Sequence, residues 1–422
     1  MSHFAKRFTG LSGIVSLMED LGDALNQNPE MIFMGGGNPA QIDKVEACIA
    51  QHLQAIAQNP NRLHKLVGEY QPPQGDPSFL SMMADFLSEQ YGWSVSANNI
   101  AISNGGQSAF FTLFNMLAGE DKEKENKHIV LPMVPDYLGY ADAGLDAGMF
   151  KGYRPNIIDI DDTFFKYAVN FSDIELNDNA AAVCFSRPTN PSGNLITDDE
   201  VNQLKKLCRQ RKIPMMIDAA YGKPFPGVTF VDHSMDWDDD TILILSLSKL
   251  GLPGVRTGIV IAHEDIITRF SRATASLSLA PSNLGPTLCK SLIQTNDLMT
   301  LSLETIKPYY LQKMQQTVNY LADAVRGLPV KIHKPEGAFF LWLWFQDLPI
   351  SSQQLYERLK EKGVLVLSGH HFFQPLGNDL WPHQHQCIRL SYCQPWERVK
   401  QGIDILMDEI EVLYDVKTHS FS

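Results

Sequence analysis

The chain has little of what marks a secreted or membrane-spanning protein. Its six cysteines, in 422 residues, contain no Cys-x-x-Cys pair and follow no regular spacing, which indicates reduced thiols rather than a disulfide framework. The N-terminus lacks the apolar core of a secretion signal, and no apolar run reaches the length of a membrane span. Together these absences predict a cytoplasmic protein that does not bind membranes.

Positive charge is also scarce. The 35 lysines and arginines are outnumbered by 48 acidic residues, so the net charge of −13 argues against a nucleic-acid or anionic-membrane partner. A small anionic ligand is still possible, because local groups set the field inside a pocket. With 44% hydrophobic residues, no repeat and no low-complexity tract, the chain is long enough for two ordinary globular domains.

The most informative segment runs from Ser246 to Gly258 and follows an apolar strand predicted over 241–245. Lys249 at the end of this strand can form a Schiff base with an aldehyde cofactor, while Ser246 and Arg256 hold the phosphate of that cofactor. Arginine suits a phosphate because its planar fork donates two parallel hydrogen bonds. The alternative is a surface lysine and arginine in a glycine-rich loop.

Polar groups follow two further predicted strands. Asn190 comes after a strand at 180–186, and Asp218 ends a strand at 213–218, with Tyr221 three residues later. In open α/β sheets ligands bind beyond such strand ends. The set suits pyridoxal 5′-phosphate (PLP): Asp218 would keep the pyridine nitrogen protonated, which makes the ring an electron sink. Asn190 and Tyr221 can hydrogen-bond the phenolic oxygen of the ring.

These motifs resemble the fold type I PLP-dependent aminotransferases. The matching segments occur in the order of the family, and the resemblance covers nearly the whole chain: Asn190-Pro-Ser-Gly193, Asp218-x-x-Tyr221, Ser246-x-x-Lys249 and Arg256-x-Gly258. The resemblance implies an α/β fold, in which a large domain holds a mostly parallel seven-stranded sheet between helices, beside a smaller α+β domain.

The chain is expected to divide at about residues 45 and 305. Residues 1–45 would form an N-terminal arm and part of the small domain, 46–305 the large PLP-binding domain, and 306–422 the small C-terminal domain. A helical pattern from Met299 to Arg326 is predicted to bridge toward the second domain, although Pro308 must kink or interrupt it.

A third phosphate contact is predicted at a helix N-terminus. A strand at 100–104 leads into a Gly-Gly turn and a helical pattern, so the free amides of Gly106, Gln107 and Ser108 and the helix dipole favour an anion. The resemblance also implies that Tyr137 stacks on the pyridine face and that Tyr70 reaches the phosphate of the partner subunit. A homodimer is therefore expected; the alternative is that Tyr70 packs in its own chain.

Two regions are expected to bind the substrate. The resemblance implies that backbone amides of Gly36 and Gly37 face the substrate carboxylate, although these glycines also suit an ordinary turn. Arg389-Leu-Ser resembles the family segment that binds the α-carboxylate, with Asn190 contributing to the same site. A bidentate fork there would orient the Cα–H bond for cleavage; the alternative is an arginine in a surface ion pair.

Lys249, Asp218 and Tyr221 are the predicted catalytic residues, with Lys249 moving the Cα proton as general base and acid. The resemblance implies amino-group exchange between small aliphatic amino acids and 2-oxo acids, foremost valine and alanine and their 2-oxo acids. One alternative is a PLP-dependent lyase or synthase on the same fold. Another is a non-catalytic regulator, whose class carries an N-terminal DNA-binding module; only about 34 residues precede Gly35.

Four histidines near the C-terminus invite a metal-site hypothesis. No carboxylate or cysteine completes a ligand set with His370, His371, His383 and His385, so no metal is expected. We expect these histidines to line the mouth of the substrate site.

Overall fold

The computed structural model describes residues 13–120, 125–146, 148–377 and 379–415. Its α-helices are α1 Gly13–Gln27, α2 Asp43–Ala57, α3 Pro60–Gly68, α4 Pro77–Tyr91, α5 Gly106–Leu117, α6 Asp198–Arg211, α7 Glu264–Ser278, α8 Leu284–Gln294, α9 Asp297–Thr300, α10 Lys307–Ala324, α11 Ser352–Glu361 and α12 Trp396–Leu413. Its strands are β1 Ile32–Phe33, β2 Ile100–Ser103, β3 Gly119–Glu120, β4 Asn126–Leu131, β5 Phe150–Gly152, β6 Asn156–Asp159, β7 Phe164–Ala168, β8 Ala180–Ser186, β9 Met215–Asp218, β10 Thr241–Ser246, β11 Gly258–Ile261, β12 Val330–His333, β13 Phe340–Phe345, β14 Val364–Leu365, β15 Leu367–Ser368 and β16 Cys387–Ser391.

The larger sheet confirms the predicted α/β fold. Seven strands follow one another in the order β2-β11-β10-β9-β8-β4-β3, and β5 also pairs with β4. The strands β4, β5, β8, β9 and β10 are mutually parallel, whereas β11 and β3 run antiparallel to their neighbours. Strands β9 and β10 are buried along their whole length, as expected for a parallel sheet covered on both faces.

Strand order in the larger sheet brings polar residues from distant parts of the chain to one edge. Asp218 is the last residue of β9 and Ser246 the last of β10, and these strands are parallel neighbours. Asn190 lies in the turn just beyond β8, which is the parallel neighbour of β9 on the other side. The C-terminal ends of three adjacent strands therefore form one edge of a cleft.

A second sheet has six strands in the order β15-β16-β13-β12-β7-β6. It is antiparallel except where β7 runs parallel to β12, with Phe164 opposite Ile332. Strands β6 and β7 come from the middle of the chain, whereas the other four come from its C-terminal part. The N-terminal strand β1 joins the same region by pairing with β14.

The helix predicted to bridge toward the C-terminal part is nearly continuous from α9 to α10. A π-helical turn, Leu301–Ile306, separates the two helices, and Pro308 follows at the second position of α10. Proline there lacks the N–H that would continue the hydrogen-bond pattern, so the interruption falls beside Pro308 as predicted. Among the described helices none combines the length and apolarity required to cross a bilayer.

Candidate active site

A cavity of about 470 Å³ opens at the C-terminal ends of β8, β9 and β10. It brings together twelve residues that the sequence predicted: Gly36, Gly37, Gly106, Gln107, Tyr137, Asn190, Asp218, Tyr221, Ser246, Lys249, Arg256 and Arg389. Its size is in the range of cofactor and small-molecule sites.

Asp218 lies at the bottom of the cleft with both carboxylate oxygens engaged. Its Oδ2 accepts a hydrogen bond of 2.8 Å from the Tyr140 hydroxyl, and its Oδ1 accepts one of 3.0 Å from the amide of Ala220. Burial raises the pKa of Asp218, while these two hydrogen bonds and the charge of Lys249 oppose that rise. The result is a buried acid oriented by two fixed donors, which suits a contact with a protonated ring nitrogen.

Lys249 extends into the cleft from the turn after β10. Its Nζ donates a 2.6 Å hydrogen bond to the carbonyl of Gly37 and lies 5.3 Å from the Tyr221 ring centroid. Burial, followed by the positive charge of Arg389, lowers the pKa of Lys249 to about 8. A larger fraction of this amine is therefore neutral, and nucleophilic, near physiological pH than in an exposed lysine.

One corner of the cleft presents several donors suited to an anion. Helix α5 begins at Gly106 with no side-chain cap, so the amides of its first turn are open. The Arg256 guanidinium packs so closely on Gly105 that a Cβ there would lie 2.2 Å from its Nη2. Ser246 Oγ lines the same cavity. A helix N-terminus, a guanidinium and a hydroxyl together suit the binding of a phosphate.

The Arg389 side chain is buried and held from two sides. Its Nη1 donates to Asn190 Oδ1 and its Nη2 to the carbonyl of Gly35, each at 2.7 Å. Its guanidinium carbon lies 4.0 Å from the Phe340 ring centroid. The buried Nε has no hydrogen-bond partner among the residues that the structure describes, so this arginine is positioned with donor capacity left for a ligand.

The backbone of residues 35–37 contacts Arg389 and Lys249 through its carbonyl groups. The carbonyls of Gly35 and Gly37 accept hydrogen bonds from Arg389 and Lys249, and Gly36 and Gly37 line the cavity. A Cβ on Gly35 would lie 3.1 Å from the carbonyl oxygen of Val366. Glycine thus allows this segment to run close to the C-terminal part of the chain, which a larger residue would oppose.

Two aromatic hydroxyl groups line the middle of the cavity. Tyr221 is buried, and burial raises its pKa well above 10, with the charge of Arg389 opposing the rise. Burial, with the charge of Asp218, raises the pKa of Tyr137 to about 12. Both side chains are therefore neutral hydrogen-bond donors at physiological pH.

Two predicted site residues lie outside this cavity. The Ser108 hydroxyl donates to the carbonyl of Asn104 within the first turn of α5, and Ser108 does not line the cleft. Tyr70 is 86% exposed and lies away from the cavity of its own chain.

Sequence reasoning missed several residues of the cleft. Tyr140, the donor to Asp218, follows Tyr137 by three residues, but nothing in this spacing indicates a contact with Asp218. Helix α1 also contributes part of the wall through Leu17, Met18 and Leu21. Nothing in the local sequence of this helix shows that it covers the cleft.

The expected position of the histidines at the substrate mouth is wrong for His383. This residue is buried, with its ring centroid 4.6 Å from those of Trp344 and Trp381, and its Nε2 contacts the hydroxyl of Tyr167. Burial lowers the pKa of His383 to about 3. His370, His371 and His385 also do not line the cleft. The His370 ring lies against those of His371 and His385, and its Nδ1 is hydrogen-bonded to Ser368 Oγ.

Comparison with known proteins identifies the class to which this fold and site correspond. Residues 29–406 match the family described as aminotransferase class I and II, so the chain belongs to that family. This family is PLP-dependent.

The chain is 45% identical, over 97% of its length and 98% of the relative, to the valine–pyruvate aminotransferase of Escherichia coli (strain K12). The valine–pyruvate aminotransferase structure from Salmonella typhimurium LT2 is 42% identical, with a TM-score of 0.88 over 96% of this chain and all of that one. A putative amino-acid aminotransferase from Psychrobacter arcticum 273-4 is 38% identical, with a TM-score of 0.95 over 99% of this chain and all of that one.

The residues of the cleft fit the cofactor of this family. An acid at the bottom, a phosphate corner at the N-terminus of α5 and a lysine between them match the pyridine nitrogen, phosphate and aldehyde of PLP. Arg389 Nε and Gln107 Oε1 are buried polar atoms that have no partner in the described part of the chain, which indicates that the cleft is built for a polar ligand.

Proposed function

We propose that this protein is a transaminase for small aliphatic amino acids and 2-oxo acids, converting valine and pyruvate to 3-methyl-2-oxobutanoate and alanine. The observation that carries the proposal is a cleft whose residues fit PLP, in a chain 45% identical, nearly end to end, to a valine–pyruvate aminotransferase. The lining of the cleft and the chemistry of its residues agree with this assignment.

Several residues are proposed to hold the cofactor. Ser246, Arg256 and the α5 amides of Gly106 and Gln107 would bind its phosphate, and Asp218 would bind its ring nitrogen. Tyr221 and Asn190 would contact its phenolic oxygen, with Tyr137 against its ring. The backbone amide of Ser108, in the first turn of α5, would be its only contribution, because its side chain lies outside the cavity and bonds the carbonyl of Asn104. When bound, PLP supplies an electron sink that stabilises negative charge at the substrate Cα.

Lys249 is proposed to bind the cofactor aldehyde and then to move the Cα proton. Its lowered pKa leaves a substantial neutral fraction of the amine near physiological pH, which both tasks require. Arg389 would bind the substrate carboxylate through its remaining N–H groups, since Asn190 and Gly35 already hold it in place. Gly36 and Gly37 complete the substrate wall.

The composition of the cleft favours an aliphatic side chain over a second carboxylate. Among the residues that line it in the described part of the chain, the cations are Lys249, Arg256 and Arg389, and each already has a proposed role. The remaining wall includes apolar residues from several elements: Leu17, Met18, Leu21, Phe33, Leu138 and Leu367. No further cation lines this part of the cavity to bind a dicarboxylic substrate.

A panel of amino donors and 2-oxo acceptors, read by the absorbance of the bound cofactor, tests the proposal. We expect valine with pyruvate to give 3-methyl-2-oxobutanoate and alanine in equal amounts, with ping-pong kinetics. Loss of the amino group as free ammonia, or an eliminated or cyclised product, would instead identify a lyase or synthase.

We further propose that the protein is a cytoplasmic homodimer, with Tyr70 of one subunit reaching the phosphate bound by the other. The 86% exposure of Tyr70 in the single chain supports this role. We also propose that the chain divides functionally at about residues 45 and 305, with the cofactor held by the middle part.

A further inference from the structure

Asp136 is a buried carboxyl beside the active site that does not line the cleft. It follows β4 and precedes Tyr137, and its side chain accepts three hydrogen bonds from two residues that line the cleft, Tyr137 and Ser186. Its Oδ1 accepts from the amide of Tyr137 at 2.6 Å and from the hydroxyl of Ser186, and its Oδ2 accepts from the amide of Ser186 at 3.0 Å.

These contacts extend to the substrate side of the cleft. The Ser186 hydroxyl, which donates to Asp136, accepts a 3.3 Å hydrogen bond from the amide of Asn190. Asn190 in turn accepts from Arg389. The backbone amide of Asp136 also donates to the carbonyl of Phe372, at 3.3 Å, in the C-terminal part of the chain. One carboxyl thus connects the Tyr137 loop, the end of β8 and the turn that carries Asn190.

We propose that Asp136 is a positioning residue that fixes Tyr137 and Asn190 relative to each other, and so determines both cofactor affinity and substrate carboxylate binding. It acts without touching either ligand. The inference depends on the cofactor-binding role proposed for the cleft, but not on which amino acids the enzyme uses.

The chemistry of the three contacts explains why a carboxyl is needed. Two of the donors are backbone N–H groups, which cannot rotate or become acceptors, and they contact different oxygens of Asp136. In either side-chain orientation an asparagine would place its NH₂ group against a backbone amide, that of Tyr137 in one orientation and that of Ser186 in the other. The isosteric amide therefore leaves one buried donor unpaired and forces the two segments apart.

The cost of burying the Asp136 carboxyl also supports a role in positioning. Burial raises its pKa to about 7, even though the hydrogen bonds from Ser186 and Tyr137 oppose that rise. A buried carboxyl is costly for folding unless hydrogen bonds compensate for its burial, and here all three donors belong to residues that line the cleft.

The test compares Asp136→Asn with a matched control, Glu409→Gln, in the full chain. Glu409 is an equally buried carboxylate that bonds Arg358 and Lys362 between α11 and α12, and it does not line the cleft. For each purified apoprotein the dissociation constant of PLP is measured by titration, together with thermal melting. The Michaelis constants of the reconstituted enzymes for amino and 2-oxo acids are measured separately.

We expect Asp136→Asn to weaken PLP binding about tenfold and to raise both Michaelis constants by a similar factor. Glu409→Gln should lower thermal stability but leave PLP affinity and the Michaelis constants at wild-type values. A folded Asp136→Asn protein with PLP affinity and Michaelis constants within about twofold of wild type would overturn the inference.

A second variant keeps the inference testable if Asp136→Asn does not fold. Ser186→Ala removes only the hydroxyl that connects Asp136 to Asn190, and it should weaken PLP binding and raise the Michaelis constants by about three- to tenfold. Unchanged values in this variant would also refute the role. Because PLP titration uses no amino acid, a protein that fails to transaminate valine but loses PLP affinity on substitution would refute the proposed substrates and retain this inference.

Discussion

Replacing Arg389 by leucine is the sharpest test of how the cleft binds its substrate. The guanidinium has five N–H groups, and the structure uses one to hold Asn190 Oδ1 and one to hold the carbonyl of Gly35. Of the other three, the buried Nε has no partner among the described residues, and the second N–H groups of Nη1 and Nη2 would remain for a carboxylate. The substitution should therefore remove a contact that donor and acceptor substrates share.

The magnitude follows from the type of bond. A hydrogen bond between a cationic donor and a carboxylate contributes about 1.5–3 kcal/mol, so its loss should raise the Michaelis constants about ten- to over a hundredfold. Arg389→Leu also leaves Asn190 Oδ1 and the Gly35 carbonyl without their donors, at a cost of about 1–3 kcal/mol in the free energy of unfolding. Arg389→Lys keeps the charge but loses the fork, and it should give an intermediate effect.

The assay separates binding from folding. Michaelis constants for valine and for pyruvate are measured in each half-reaction, PLP affinity is titrated in the apoprotein, and thermal melting reports stability. We expect both Michaelis constants to rise together in Arg389→Leu. If the protein melts at a lower temperature but both constants stay at wild-type values, Arg389 is a structural arginine and the proposed carboxylate site is wrong.

Three further predictions concern the cofactor. Lys249→Ala should abolish turnover. In wild-type apoprotein the rate of PLP attachment should rise with pH and level off above about 8, because the neutral amine attacks and the pKa of Lys249 is lowered; a rate that keeps rising toward pH 10.5 would contradict this. Asp218→Asn should lower the single-turnover rate on the order of 10² or more, yet change the melting temperature little, because the amide oxygen can accept from the Ala220 amide while the NH₂ group donates to the Tyr140 hydroxyl, which can also accept; a large loss of stability with intact chemistry would make Asp218 merely structural. Mixing inactive Lys249→Ala and Tyr70→Phe chains should restore activity in heterodimers, once Tyr70→Phe alone is shown to be severely impaired; verified heterodimers without activity would exclude shared sites.

The gathering of the central residues in one cleft was largely predictable because they occur in short local patterns. Ser246-x-x-Lys249 follows a buried strand, and Asp218 ends another, so the adjacency of β9 and β10 was enough to bring them together. Gly106 and Gln107 were predictable for the same reason, since strand, glycine turn and helix N-terminus are consecutive in the chain.

The residues that hold the cleft residues in place were not predictable from local patterns. Tyr140 and Asp136 act through contacts with Asp218 and Ser186, on strands far along the chain, and nothing in their immediate sequence specifies those partners. His383 shows the opposite error, because its pattern suggested an exposed loop and only the aromatic residues packed around it explain its burial. Long-range packing decides both cases.

The strands β6 and β7 have a consequence for how the protein folds. Phe164 in β7 pairs with Ile332 in β12, and the chain between them contains β8, β9, β10 and β11 of the larger sheet. Strands β6 and β7 can pair with each other as soon as both are synthesised, but β7 meets its other partner, β12, only after β8 to β11 have emerged, and closing so long a loop is slow. The two sheets are therefore coupled in time as well as in space, because the smaller one can be completed only after the strands of the larger one have been made.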